Sequence, residues 1–304
     1  MPTLYTQQDK NIGRTWFLMF TFVFVVIAIG WAASWYFNDP LILTGFVFFS
    51  IIMNIGSFWF SDKIVLSTAG AHEADSVTYL ELHRIVENLA ITAGLPKPRV
   101  YIVNDPSPNA FATGRNPEHG VVAVTTGLLS LLDRSELEGV IAHELSHIGN
   151  RDTLIATVAA VLVGFVALIS DVLLRAHLWG GGDDDHGDGR IRIIMMLVGV
   201  ILAILAPIFA RLLQLAISRK REFLADASGA LLTRYPDGLA SALQKISGAA
   251  TPLRHANQAT AHLYIENPFS RHGKVSGMAS LFMTHPPVEA RIAALLGKRE
   301  NEEV

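Results

Sequence analysis

Ser135-Glu136-Leu137-Glu138-Gly139-Val140-Ile141-Ala142-His143-Glu144-Leu145-Ser146-His147-Ile148 decides how the rest of the chain is read. Ser135 to Glu138 has the form of a capping box, and Leu137, Val140, Ile141 and Ile148 follow at helical spacing, so an amphipathic helix is predicted. His143 and His147 lie four apart on one face of it, where two imidazoles can grip one metal ion. Glu144, one step round, can reach a water at that ion and take its proton. A hydrolytic metal site needs a third protein ligand and an open fourth position. The metzincin extension would place Gly at 150 and His at 153. The chain has Asn150 and Thr153 there, which excludes that class.

Outward from this helix lie four apolar runs. Thr15 to Phe37 and Leu41 to Phe60 are each long enough to cross about 30 Å of hydrocarbon as a helix. Only Asn38-Asp39-Pro40 separates them, so they form a tight hairpin. Trp31, Trp35 and Tyr36 sit at one end and Trp59 at the other, as in interfacial aromatic belts. The first run is too long and too bulky at its end to be a secretory signal. Thr153 to Leu174 and Ile193 to Ala210 predict a second hairpin, around a glycine- and aspartate-rich loop at 180–189 that reads as a solvated turn. Charged residues are 17% of the chain and hydrophobic ones 51%, with a mean hydropathy of +0.37. An average soluble domain carries roughly 25% charged residues, so part of this surface is expected to face lipid. A net charge of −3 argues against a nucleic-acid partner. The absence of cysteine leaves His, Asp and Glu as metal ligands.

If both termini share a side, that side carries Lys10, Arg14, Lys63, Arg151, Arg211, Arg219, Lys220 and Arg221, against Arg175, Arg190 and Arg192 opposite. The bias places the termini in the cytoplasm. The expected organisation is an N-terminal transmembrane hairpin (1–60), a first part of a cytoplasmic domain (61–152), a second transmembrane hairpin (153–210) and a second part of that domain (211–304). The first part reads as α+β, with a helix over 75–93, short strands at 99–103 and 120–125, and a helix at 126–132. The second hairpin returns the chain to the face it left, bringing Glu222-Phe223-Leu224-Ala225-Asp226 near the His pair. Glu222 is the favoured third ligand, with Glu266 and Glu289 as competitors. Asp226, four residues on, can accept the second N–H of a ligand imidazole.

Several stretches now point to a family: Pro108-Asn109-Ala110-Phe111-Ala112, Thr126-Gly127-Leu128-Leu129, Glu138 to His147, Arg221 to Ala227, and Thr284-His285-Pro286-Pro287 through Arg291. In these motifs and in the order of its segments, the chain resembles the HtpX-type membrane zinc metallopeptidases, relatives of the type I CAAX prenyl proteases. The resemblance implies a zincin-like (gluzincin) α+β domain on four transmembrane helices in two hairpins. It implies one zinc ion per chain held by His143, His147 and Glu222, with Glu144 as general base and acid. It makes His285 a hydrogen-bond partner of the tetrahedral oxyanion, Asp226 and Arg291 supporting residues, and Asn109, Ala110 and Phe111 an edge for an extended substrate. The activity implied is endoproteolysis of misfolded or damaged membrane proteins at the cytoplasmic face of a bacterial inner membrane. Two other readings compete. An intramembrane protease would place the His pair inside a span, whereas Asp133, Arg134, Arg151 and Asp152 flank it here. A membrane adaptor with a structural zinc would have no use for Glu144.

Overall fold

The computed structural model describes residues 4–179, 196, 199–200, 219–249, 251–254, 260–269 and 286–297. The first two apolar runs form α1 (Leu4–Phe37) and α2 (Pro40–Thr68), both longer than the apolar stretches alone. Asn38 turns the chain between them with a left-handed φ of 52°. The Asp39 carboxylate then accepts the amide of Leu41, and Pro40 fills the first helical position, where a missing N–H leaves nothing unpaired. Phe17, Phe20, Phe24, Trp35, Phe48 and Ile52 point outward, large and exposed, as a lipid-facing surface requires.

Beyond α2 come β1 (Ala71–Glu73), α3 (Leu80–Ala93), β2 (Arg99–Val103), β3 (Ala110–Thr113), β4 (Val121–Thr125) and α4 (Thr126–Leu131). They are followed by α5 (Arg134–Gly149), α6 (Asp152–Trp179), α7 (Arg219–Thr233), α8 (Pro236–Ala249) and α9 (Val288–Leu295). The sheet runs β1-β2-β4-β3, with β2 and β4 parallel and both outer pairs antiparallel. All five residues of β4 are buried, because both faces of the sheet are covered. Val100, Ile102, Val122 and Val124 pack on Ile85 of α3, Ile141 and Leu145 of α5 and Leu239 of α8. Val103, Val121 and Ala123 face the other way, against Val65 and Leu66 of α2 and Ala160 and Val161 of α6. The sheet therefore sits between α3, α5 and α8 on one face and α2 and α6 on the other.

Some boundaries differ from expectation for local reasons. The Asp75 side chain accepts the amide of Thr78, and its carbonyl accepts that of Tyr79, so a turn replaces the first residues expected of α3. The cap of α5 is Asp133 and not Ser135. Its carboxylate accepts the Glu136 amide, and Glu136 accepts the Asp133 amide in return. Among the described residues, α1 and α2 are long and apolar enough to cross a membrane. A third crossing arises only if α5 and α6 as far as Val166, bent by 81°, are taken together. The early part of α6 is buried against Leu18, Met19, Phe22 and Val26 of α1. Most of the second run of the expected second hairpin, and the loop at 180–189, lie outside the described residues.

Glu136 does more than cap α5, since Ser241 and Lys245 of α8 both donate to its buried carboxylate at 2.6 and 2.7 Å. Glu136→Ala should lower stability by about 1–3 kcal/mol, through the lost cap and a Lys245 left half-exposed without its partner. Thermal unfolding in detergent checks this, and an unchanged midpoint would contradict it.

Candidate metal centre

α5 and α7 cross closely because Gly229 of α7 lies over the backbone of His143. A Cβ there would come within 3.0 Å of the His143 nitrogen. This crossing brings Glu222 to the His pair. Glu222 Oε2 stands 3.8 Å from His143 Nε2, and Oε1 stands 3.6 Å from His147 Nε2. The two Nε2 atoms are 3.1 Å apart. Ligands bound at about 2.0–2.1 Å in a tetrahedron would stand roughly 3.3 Å from one another. The three side chains thus fit one small metal ion, and all three ligand atoms lie within 4.8 Å of each other.

The other ring nitrogens are held from behind. His143 Nδ1 donates to Asp226 Oδ1 at 2.9 Å. His147 Nδ1 donates to Asp152 Oδ2 at 3.1 Å. With both Nδ1 protons directed at carboxylates, both Nε2 lone pairs are turned toward the common point, the tautomer a metal requires. Asp226 is fixed in turn by Arg291, whose Nε and Nη2 reach its two oxygens at 2.9 and 2.7 Å, while Nη1 donates to the Ile265 carbonyl. Arg291 is 0% exposed, so this bidentate pair is wholly within protein. Burial opposes ionisation of Asp226, but Arg291 and His143 outweigh it and hold its pKa below the usual carboxylate value. Against burial, which works the other way, the same pairing raises the pKa of Arg291.

Glu144 is buried beside His143 and lines the same cleft, together with Ala112, Ala156 and the segment His262 to Ile265. Asn109, Ala110 and Phe111, expected as an edge for an extended substrate, lie at the start of β3. All three are buried, and the outer edge of β3 is taken by the chain itself. Ile265 donates to the Ala110 carbonyl, Asn109 exchanges hydrogen bonds with the Glu266 backbone, and Tyr264 packs on Phe111. Ala112 is the β3 residue that reaches the cleft. Glu266 lies on that strap and Glu289 on α9, and neither joins the ligand cluster. His285 lies outside the described residues. Sequence reading passed over Asp152 and Asn11. The only signal for Asp152 was a carboxylate five residues after His147, across a helix break.

The surroundings act differently on the two imidazoles. Burial pushes His143 down to about 4, despite Asp226. Burial also disfavours the His147 cation, but the carboxylates of Glu222, Asp152 and Glu144 prevail and lift it to about 9. Of the two rings, His147 is thus the one whose cation the surroundings favour, and its Nε2 stands 3.1 Å from that of His143. Because the surroundings favour the His147 cation, a metal entering the site competes with a proton there. Metal uptake between pH 6 and 8 should release about one proton, with affinity rising roughly tenfold per pH unit. Titration calorimetry in buffers of different ionisation enthalpy measures this directly, and proton-free uptake would contradict the assignment.

The family described as "Peptidase family M48" matches residues 77–299. A "Protease HtpX homolog" of Caldanaerobacter subterraneus subsp. tengcongensis is 48% identical over 298 residues, spanning 96% of this chain and 97% of its own length. One from Pyrococcus furiosus is 54% identical over 248 residues, 81% of this chain and 83% of its own. One from Streptococcus gordonii is 45% identical over 301 residues, 96% and 99% respectively. The crystal structure of S. mikatae Ste24p matches with a TM-score of 0.49 and 17% identity, over 96% of this chain and 67% of that one. Most of the chain lies within the family match, and the relatives extend the likeness through the two apolar helices. The chain belongs to peptidase family M48 and is a membrane metalloprotease of the HtpX type.

Proposed function

We propose that this protein is a zinc endopeptidase that cleaves unfolded or damaged membrane proteins at the cytoplasmic face of the plasma membrane. The observation that carries the reading is the convergence of His143, His147 and Glu222 beside a buried Glu144 in one cleft. Two nitrogens and a carboxylate, with no cysteine in the chain, suit zinc with an open position for substrate. Zinc bound there would polarise the scissile carbonyl and make water acidic enough to attack near neutral pH. Glu144 takes the proton of the attacking water and gives it to the leaving amine. Asp226 and Asp152 hold the imidazoles, and Arg291 holds Asp226. His285 donates a hydrogen bond to the oxyanion as the carbonyl becomes tetrahedral, the role its family motif implies. The substrate backbone is received where Ala112 and Tyr264 border the cleft, with Asn109, Ala110 and Phe111 supporting that edge from beneath.

Four membrane spans in two hairpins agree with the apolar runs, and the excess of Lys and Arg beside the shared side favours cytoplasmic termini and a cytoplasmic centre. A centre beside the membrane, under a sheet that packs on α2 and α6, suits substrates that emerge from the bilayer.

Glu144→Gln should keep its zinc and its fold while hydrolysis of casein in detergent falls by about 100-fold or more. Activity near wild type in that variant would overturn the assignment of the base. Because the chain has no native cysteine, topology can be read from single substitutions. An impermeant maleimide applied to intact cells should label Asp185→Cys and spare Glu118→Cys, and the reverse pattern would invert the orientation.

A further inference from the structure

We propose that the amino-terminal part of α1 is a positioning element of the metal centre, in which Asn11 holds Asp152 in the orientation that fixes His147. This rests on the metal-centre reading above. Asn11 is 1% exposed, and its amide is fully engaged. Nδ2 donates to Asp152 Oδ1 at 2.8 Å and to the Asn150 carbonyl at 2.9 Å, and Oδ1 accepts from Arg221 Nη1 at 3.3 Å. One turn earlier on the same face, Gln8 Nε2 donates to the Gly149 carbonyl at 2.7 Å. These are carbonyls at the end of α5, where a helix leaves its last acceptors without internal partners. A helix that reads as a membrane anchor therefore caps the helix that carries the His pair.

The backbone between α5 and α6 needs such support. Arg151 has a φ of 60°, a left-handed conformation that a non-glycine residue keeps only where its surroundings impose it. It sits at the 81° bend between the two helices, and the next residue is Asp152. Asp152 has three partners from three elements: Asn11 and Arg221 on Oδ1, and His147 on Oδ2. Arg221 adjoins the candidate ligand Glu222 on α7. Asp152 thus joins α1, the His-pair helix and the third-ligand helix at one carboxylate. Loss of the Asn11 amide frees one side of it and the strained link beside it, and His147 loses its fixed tautomer and ring angle. Fixing a ligand imidazole in this way is typically worth about 10–100-fold in metal affinity.

The experiment measures zinc affinity of the full-length protein in detergent by chelator competition, and the absorption spectrum of its cobalt(II) form. Asn11→Ala, and Asn11→Leu, which keeps the volume but no donor, should each raise the zinc Kd by about 10–100-fold. Both should shift the cobalt bands while circular dichroism stays unchanged. Lys10→Ala, at an exposed position of the same helix, should change neither readout. In a double-mutant cycle, adding Asn11→Ala to Asp152→Asn should cost little beyond Asp152→Asn alone. Should both Asn11 variants unfold, the part-buried Gln8→Ala decides, with a smaller rise in Kd expected and an unchanged Kd overturning the proposal. Wild-type affinity in folded Asn11 variants, with Glu222→Ala still defective, overturns this proposal alone. A wild-type protein that takes up no zinc, or loses none with Glu222→Ala, overturns the metal-centre reading as well.

Discussion

Two imidazole nitrogens face each other across 3.1 Å inside the protein, with the carboxylate of Glu222 beside both. With both Nδ1 atoms turned to carboxylates, two lone pairs facing each other at this distance would repel, and a metal ion bound by both removes that repulsion. The i, i+4 spacing on α5 sets the approach of the two rings. The carboxylates of Asp226 and Asp152 behind them remove the alternative of pointing an N–H inward on both sides. Glu222 then supplies the negative charge that favours a divalent ion over a single proton. Burying these groups is unfavourable unless each is paired, and each has its partner: Arg291 for Asp226, Arg221 and Asn11 for Asp152.

That requirement explains the assembly of distant segments. The two histidines come from α5, Glu222 and Asp226 from α7, and Arg291 from α9. Asp152 opens α6, and Asn11 belongs to α1. No single segment can satisfy the site, so its integrity depends on how α5, α7 and α9 pack on one another and on α1 and α6. The sheet mediates this packing, with one face on α5 and the other on α2 and α6. The residues around the candidate centre thus come from both the apolar amino-terminal helix and the helices that follow the sheet.

Much of this was legible in the sequence wherever the signal is local. The His143–His147 spacing, the strands expected at 99–103 and 120–125 and the helix expected over 75–93 each depend on residues a few positions apart. Glu222 was reached through a hairpin whose returning half lies largely outside the described residues. What seats it is the Gly229 crossing over His143, a contact between helices with no local sequence signature. β1 and β3 carry little strand signal, because each is only three or four residues long and β3 closely follows Pro106 and Pro108. Asp152 and Asn11 escaped notice for a further reason. Polar residues at the head of an apolar helix are expected to meet water, and only the fold shows that they meet the metal centre.

X-ray absorption at the zinc edge of the purified, full-length protein tests the central claim most directly. The account predicts one zinc per chain in a first shell of light atoms, four or five in number at about 2.0–2.1 Å, with outer-shell scattering from two imidazoles. Glu222→Ala should lose an oxygen ligand from that shell or lose the zinc. A six-coordinate oxygen shell without imidazole scattering, or a spectrum indifferent to Glu222→Ala, would contradict the account.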